Sequence, residues 1–453
     1  MAFPNADLIL LNGRVFCGLG EAPAQALAVW GDRILAVGTE AEIKPLRGPA
    51  TRVVDLRGRL ATAGLYEAHL HLLPLGLTMA ELDVRPRRVR TLEGLLGLIR
   101  EEAARKRPGE WILARGYDQF ELDSKRHPSR EELDTAAPDN PVYLVRACGH
   151  ISIVNSAALT LAGIDETTRV PPGGAIERRE GRLTGLLAEN GRARVKAVLP
   201  EPSDEALVAA IERAGTYCAS FGITSVMDAA VGMRSGMREI AAYRTAQRTG
   251  RLPVRTNQCL LGGHDGIVDE AFAQGLVTGA GDAMLSVGPV KIFTDGSAGG
   301  RTAAMMAPYL GEPETTGILC LEDRELHDLV ADYHDKGYQL AIHAIGDAAI
   351  GQVLDAYEAA LARTPDPHRR HRIEHCGFNG PEQIERMVRL GVEPVPQPVF
   401  VHDFGDLYVS VLGEERAAAS YPMRTWINHG LKPAASSALI RLLSTFRPFA
   451  VES

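Results

Sequence analysis

The sequence lacks any apolar run long enough to span a bilayer, which excludes a membrane helix. It lacks a CxxC pair. Its six cysteines, Cys17, Cys148, Cys218, Cys259, Cys320 and Cys376, are scattered over 453 residues. That reads as reduced core thiols rather than a disulfide framework. It also lacks a basic stripe. The net charge is −8 with both signs mixed along the chain, which argues against nucleic acid as a partner. The opening MAFPNADLILLNGRVF has no positive n-region and no long apolar core, so it reads as a strand rather than a signal peptide. These absences lead to the expectation of a cytoplasmic protein that meets neither membrane nor nucleic acid. They leave association into a homo-oligomer open.

What is present is an ordinary globular balance, 45% apolar and 23% charged, in a chain long enough for a large barrel with an added domain. Residues 1–60 read as short strands (Leu8–Leu11, Gln25–Val29, Arg33–Val37, Arg52–Asp55) separated by turn signals. They look like part of a small β-sandwich. From residue 201 the pattern alternates between strand and helix. Leu326, Leu329, Val330 and Tyr333 lie at helical spacing before Gly337, and Ile350, Val353, Leu354 and Tyr357 repeat it. Eight candidate barrel strands follow: Leu65–Leu72, Ile223–Asp228, Val254–Leu260, Val287–Thr294, Gln339–His343, Arg372–His375, Val392–Gln397 and Leu431–Ser436. Eight such units predict an α/β chain with a (β/α)₈ TIM-type barrel. Residues 61–75 hold its first strand, and 201–453 the remainder. Residues 76–200 break the rhythm and read as an inserted α+β subdomain over the C-terminal strand ends.

Glu67-Ala68-His69-Leu70-His71-Leu72 carries the strongest chemical signal. Strand alternation sends His69 and His71 the same way, into the barrel, where two adjacent imidazoles make half a metal site. The competing reading is a pair of polar residues on an exposed strand. His343 and His375 each end an apolar strand, where barrel enzymes keep their catalytic groups. Four strand-end histidines are hard to explain by packing. Lys291 lies inside the apolar strand Val290-Lys291-Ile292-Phe293. Carboxylated by CO₂, it would become an anionic ligand able to bridge two metals. The alternative is a lysine at the strand edge with its head in water.

The order HxH, Lys in VKIF, His in AIHAIGD and His in RIEH resembles the amidohydrolase superfamily. LNGRVF, DRILAVG and VVDLRGRLATAGLYEAHLHL look like the usual entry to that fold. VKIFTDGSAGGRTAAM, RHRIEHCGF and the stretch from YDQFELD to VNSAAL resemble the branch that contains N-substituted formamide deformylase. The resemblance implies a zinc-type site of one or two divalent ions. His69, His71, Lys291, His343 and His375 would be its ligands, and His150 and Asp295 would lie on the substrate side or behind the ligands. It implies a small-molecule substrate with a C–N bond, attacked by a metal-activated water.

The sequence departs from that pattern at its end. An aspartate is expected after the eighth strand, to orient the water and move the proton. Here Ser436-Ser437 is followed by Ala438, and Asp403 and Asp406 do not occupy that place. The chain stops at Ser453, where the resemblance calls for a last barrel helix and return strands. Truncation or a local frame change is the expected cause; a natural variant, or strands supplied by another chain, would also account for it. Three functional readings follow. One is a metal-dependent C–N hydrolase. The second is an impaired barrel that still binds metal or ligand. The third is a deaminase of a cyclic C=N substrate.

Overall fold

Alternating apolar residues near the N-terminus pair into β1 (Ala6–Leu11), β3 (Ala26–Trp30), β4 (Arg33–Gly38) and β5 (Arg47–Asp55), with the short β2 (Arg14–Val15) and β6 (Leu60–Ala61) forming a ladder of their own. The four-stranded sheet has the order β4-β3-β1-β5 and buries Ala6, Ile9, Ala26 and Ala28. Gly31 turns between β3 and β4 at φ 58°, a left-handed value that costs glycine nothing. The computed structural model describes residues 5–18, 20–147, 149–171, 174–366 and 368–437. It divides into two units, Met1–Leu65 and Tyr66–Ser453.

The second unit is built on β7 (Leu65–Leu70), followed by an insertion and then β14 (Ile223–Val231), β15 (Arg255–Leu261), β16 (Leu285–Phe293), β17 (Leu340–Ala344), β18 (Arg372–His375) and β19 (Glu393–Val395). These seven strands form one sheet in the order β19-β18-β17-β16-β15-β14-β7. The pairings from β14 to β19 are parallel. Helices Asp204–Ser220, Asp323–Asp335, Asp347–Arg363 and Pro381–Leu390 follow the expected spacing. Ser203 caps the first by accepting from the Ala206 amide. Their apolar stripes join Val226, Leu260, Leu340 and Ile342 in the main core. Met227, Ala229, Cys259 and Ala341 face the other way and form a separate small cluster in the lumen. The sheet is a nearly closed TIM-type barrel.

The insertion supplies β8 (Leu82–Asp83), β9 (Ile112–Tyr117), β10 (Val142–Arg146), β11 (Ile151–Val154), β12 (Gly174–Arg179) and β13 (Arg182–Glu189). They make a six-stranded sheet, β12-β13-β11-β10-β9-β8, with an apolar cluster on each face. Leu144 belongs to one cluster and its neighbour Val145 to the other, as strand alternation requires. No helix among the described residues is long and apolar enough to cross a membrane.

Two expected strands come out differently. β7 stops at Leu70, and His71 is the N-cap of a helix from Leu72 to Thr78. The carboxylate of Asp228 accepts from the amides of Leu72 and Leu73, the first free donors of that helix. Leu431–Ser436 runs beside β19 without forming a strand. Ala434 and Ser436 donate to the carbonyls of Pro394 and Pro396 at 3.3 and 3.0 Å. Pro433, Pro394 and Pro396 have no N–H to give, so a regular ladder cannot form. Ala438 and the residues after it lie outside the described residues.

At the opposite, N-terminal end of the strands lies a buried histidine pair. The Leu340 amide donates to His371 Nδ1 at 3.0 Å. His371 Nε2 therefore carries the proton and donates to His334 Nδ1 at 3.0 Å, and His334 Nε2 donates to the Thr364 carbonyl at 2.7 Å. Both rings are neutral, and Tyr357 stacks on His371 at 4.7 Å. Burial, helped by the facing His334, pushes His371 down to about 3. The unfolded chain takes up a proton near pH 6.5 that the native chain refuses. This stability is complete above pH 6.5 and is lost as pH falls towards 3, at most on the order of 5 kcal/mol. Urea unfolding between pH 6.5 and 4.5 should therefore lose about 1.4 kcal/mol per pH unit through this site. His371→Phe should be less stable at pH 7 and show a shallower slope. An unchanged slope would place the proton uptake elsewhere.

Candidate metal centre

The C-terminal ends of the barrel strands bring four imidazoles together. The His69 and His71 rings are 5.4 Å apart, His69 and His375 4.9 Å, and His343 and His375 4.5 Å, all tilted or perpendicular. Three of the four are tied from behind. His69 Nδ1 meets Glu374 Oε2, which can only accept. His375 Nδ1 meets Gln397 Oε1, and that amide is oriented by its own Nε2 donating to Val395 O and Ser436 Oγ. His343 Nε2 donates to the Gly296 carbonyl at 2.9 Å, with Asp295 Oδ1 at 3.2 Å. Each bond puts the proton on the tied nitrogen. The lone pair falls on Nε2 of His69 and His375 and on Nδ1 of His343.

Lys291 faces this group from β16, paired in register with Ala341. It is 0% exposed, and its Nζ has no hydrogen-bond partner. The reading that left its head in water is overturned. The neighbouring Phe293 ring lies 4.9 Å from Nζ, and burial pushes the amine down to about 8. Burial, followed by the Lys291 charge, holds His71 near 3. His69 and His375 are also held well down, chiefly by burial. Neutral imidazole is the ligating form.

Apart from Asp295, the support behind the cluster was not visible as chemistry in the sequence. Arg372 donates to both Glu374 oxygens, at 2.7 and 3.0 Å, and reaches the Ala68 carbonyl at 2.9 Å. Glu67 accepts from the Ser437 amide at 2.9 Å and its hydroxyl at 2.6 Å. Asp295 accepts from the amides of Ala304, Ile345 and Gly346, which holds the loop after His343. Gly346 is needed there: a Cβ would lie 1.9 Å from the Ala304 carbonyl. Phe400 stacks on His375 at 6.0 Å. Alternation would send Glu374 and His375 to opposite faces, yet both reach His69. The left-handed backbone at His375 (φ 70°) and Cys376 (φ 53°) breaks the alternation. His150 lies in the insertion, half-exposed, with Nδ1 2.9 Å from Glu189.

The family model of the amidohydrolase family matches residues 52–437. The chain belongs to that family. It is 32% identical to Protein LONG AFTER FAR-RED 3 of Arabidopsis thaliana, over 93% of this chain and 73% of that protein. It is 30% identical to N-substituted formamide deformylase of Arthrobacter pascens, over 95% and 80%. The crystal structure of an uncharacterized metal-dependent hydrolase from Pyrococcus furiosus superposes with a TM-score of 0.77 at 26% identity, covering 98% of this chain and 90% of that one. The chain is thus a hydrolase of a family with metal-dependent members.

The donor set fits a divalent ion in its chemistry, with imidazoles oriented by hydrogen bonds around a buried, unpartnered amine. The rings are not drawn to one point: among the described residues no three His, Cys, Asp or Glu side chains are grouped to hold an ion. His69→Ala with His71→Ala should leave purified protein without bound zinc by elemental analysis. Glu374→Gln, which can no longer serve both His69 and Arg372, should weaken zinc binding about 10–100-fold. Full zinc retention in the double alanine variant would show that the histidines are not the ligands.

Proposed function

We propose that the protein hydrolyses a C–N bond of the amide or formamide type in a small-molecule substrate. The observation that carries this reading is the imidazole cluster, three of its rings oriented by hydrogen bonds, around the unpartnered Nζ of Lys291. A divalent ion, zinc by the softness of these donors, held by His69, His71, Lys291, His343 and His375, would supply Lewis acidity and a water acidified to about pKa 7. Lys291 would join as its carbamate: CO₂ adds to the neutral amine, and one proton leaves. Burial brings the amine down to about 8, so a fraction of it is neutral near neutral pH and carries the lone pair this addition requires.

The remaining work falls to the chain's own residues. Glu374, Gln397 and the Gly296 carbonyl hold three rings in one tautomer, so no ring needs to reorient during turnover. Phe400, flat against His375, gives the site an apolar side. That side excludes water and can receive the apolar part of a substrate.

A second reading, an impaired hydrolase, is favoured by one observation. Ser437 closes onto Glu67 beside β7, and the residue that follows it is alanine. An amine leaving group needs a proton there, whereas an activated phenol does not. Turnover should be measured on N-formyl amines, N-acyl amines, a cyclic C=N compound and phenyl esters, with and without zinc and bicarbonate. The expected result is zinc-dependent C–N hydrolysis, improved by bicarbonate and weak relative to ester hydrolysis. Ala438→Asp should raise amide hydrolysis selectively, by about 10²–10⁴-fold. Zinc-loaded protein that turns over none of these compounds would overturn the proposal. Ordinary amide rates unaffected by Ala438→Asp would remove the second reading.

A further inference from the structure

His71 differs from the other three imidazoles: no hydrogen bond from its ring to another described residue is present. It is also the one at which the strand has already ended, as the N-cap of the helix Leu72–Thr78. Its position is set by the backbone on either side. On the C-terminal side that backbone is held by one carboxylate. Asp228 Oδ1 accepts from the Leu72 amide at 2.9 Å, and Oδ2 accepts from the Leu73 amide at 3.2 Å and from the Tyr243 hydroxyl. Asp228 is 2% exposed and Tyr243 0%. Three donors converge on two oxygens, so the arrangement needs a carboxylate. An amide would turn an NH₂ towards an N–H or O–H donor.

We propose that Asp228 is a positioning residue for His71, acting through the amides of Leu72 and Leu73, with Tyr243 fixing the carboxylate from behind. The inference rests on the reading of His71 as a metal ligand and adds the device that aims it. Asp228 touches neither the ring nor a substrate. A bond from β14 to the first turn after His71 replaces the direct ring anchor that its three partners have.

The neighbouring Glu239 provides a control of the same chemistry. It is buried and accepts from the amides of Gly232, Arg234 and Ser235 in the loop after β14, away from the histidines in sequence. If Asp228 merely caps a helix, Asp228→Asn and Glu239→Gln should behave alike. Three readouts separate the cases: the zinc dissociation constant by chelator competition, the imidazole NMR signals of histidine-labelled metal-free protein, and thermal unfolding. Asp228→Asn should weaken zinc binding about 10–100-fold and shift or broaden the His71 signal, while the His371 signal stays in place. Tyr243→Phe, which keeps the carboxylate, should give a smaller effect in the same direction and serves if the asparagine variant does not fold. Glu239→Gln should lower the unfolding temperature and leave zinc binding and the His71 signal unchanged. A His71 signal and a zinc constant that survive both Asp228→Asn and Tyr243→Phe would overturn the inference. Wild-type protein that takes up no zinc would instead overturn the metal reading, and the His71 signal would still decide the role of Asp228.

Discussion

The barrel is closed by side chains where its backbone ladder stops, and the pair Arg372–Glu374 spans from β18 to β7. The seven-stranded sheet ends at β19 on one side and β7 on the other. Across the opening, Arg372 reaches the Ala68 carbonyl while Glu374 takes His69. Ser437 adds a second link by donating twice to Glu67. Both links end on β7, so the strand that carries His69 is held by the same bonds that close the sheet. Fold and site share one set of interactions. Breaking a buried ion pair by removing one partner leaves an uncompensated charge and costs about 3–5 kcal/mol. Arg372 and Glu374 are thus constrained by stability as well as by orientation of the imidazole.

Much of this was legible in the sequence. Seven of the eight expected strands are strands, because apolar runs bounded by glycine and by amphipathic helices have few other ways to be buried. The four histidines and Lys291 stood out because polar residues at the ends of apolar strands are unusual. Less legible was what depends on contacts between distant segments. Glu374 and Asp228 look like ordinary strand-end acids, and only the fold shows that one takes His69, 305 positions away, and the other the amides after His71. The eighth strand failed for a local reason that could have been read: the two segments that would pair carry Pro433, Pro394 and Pro396, and a ladder needs donors.

Within the described barrel strands, the non-glycine residues of positive φ sit at C-terminal ends. Ala230 at the end of β14 has φ 95°, and His375 and Cys376 at the end of β18 are both left-handed. Such values cost of order 1–3 kcal/mol each for non-glycine residues and persist only where the surroundings over-determine them. At His375 the surroundings are visible: Gln397 on one ring nitrogen, Phe400 against the ring face, and His343 and His69 at its edges. The strain is what lets one short strand present both Glu374 and His375 to His69, which an unbroken alternation would forbid.

The same engagement limits what the carboxylates can do next. Glu374 accepts from His69 and twice from Arg372; Asp295 holds three amides; Glu67 holds the Ser437 amide and hydroxyl. A group that shuttles a proton must give up its bonds as its charge changes. Each of these would then leave buried donors unsatisfied at about 1–3 kcal/mol apiece. They suit the work of holding rings and loops and are poorly suited to protonating a departing nitrogen. In a C–N hydrolase built this way, the proton must be handled by a group without such commitments. The aspartate that the resemblance calls for after Ser437 would be such a group, and the sequence has Ala438 in its place.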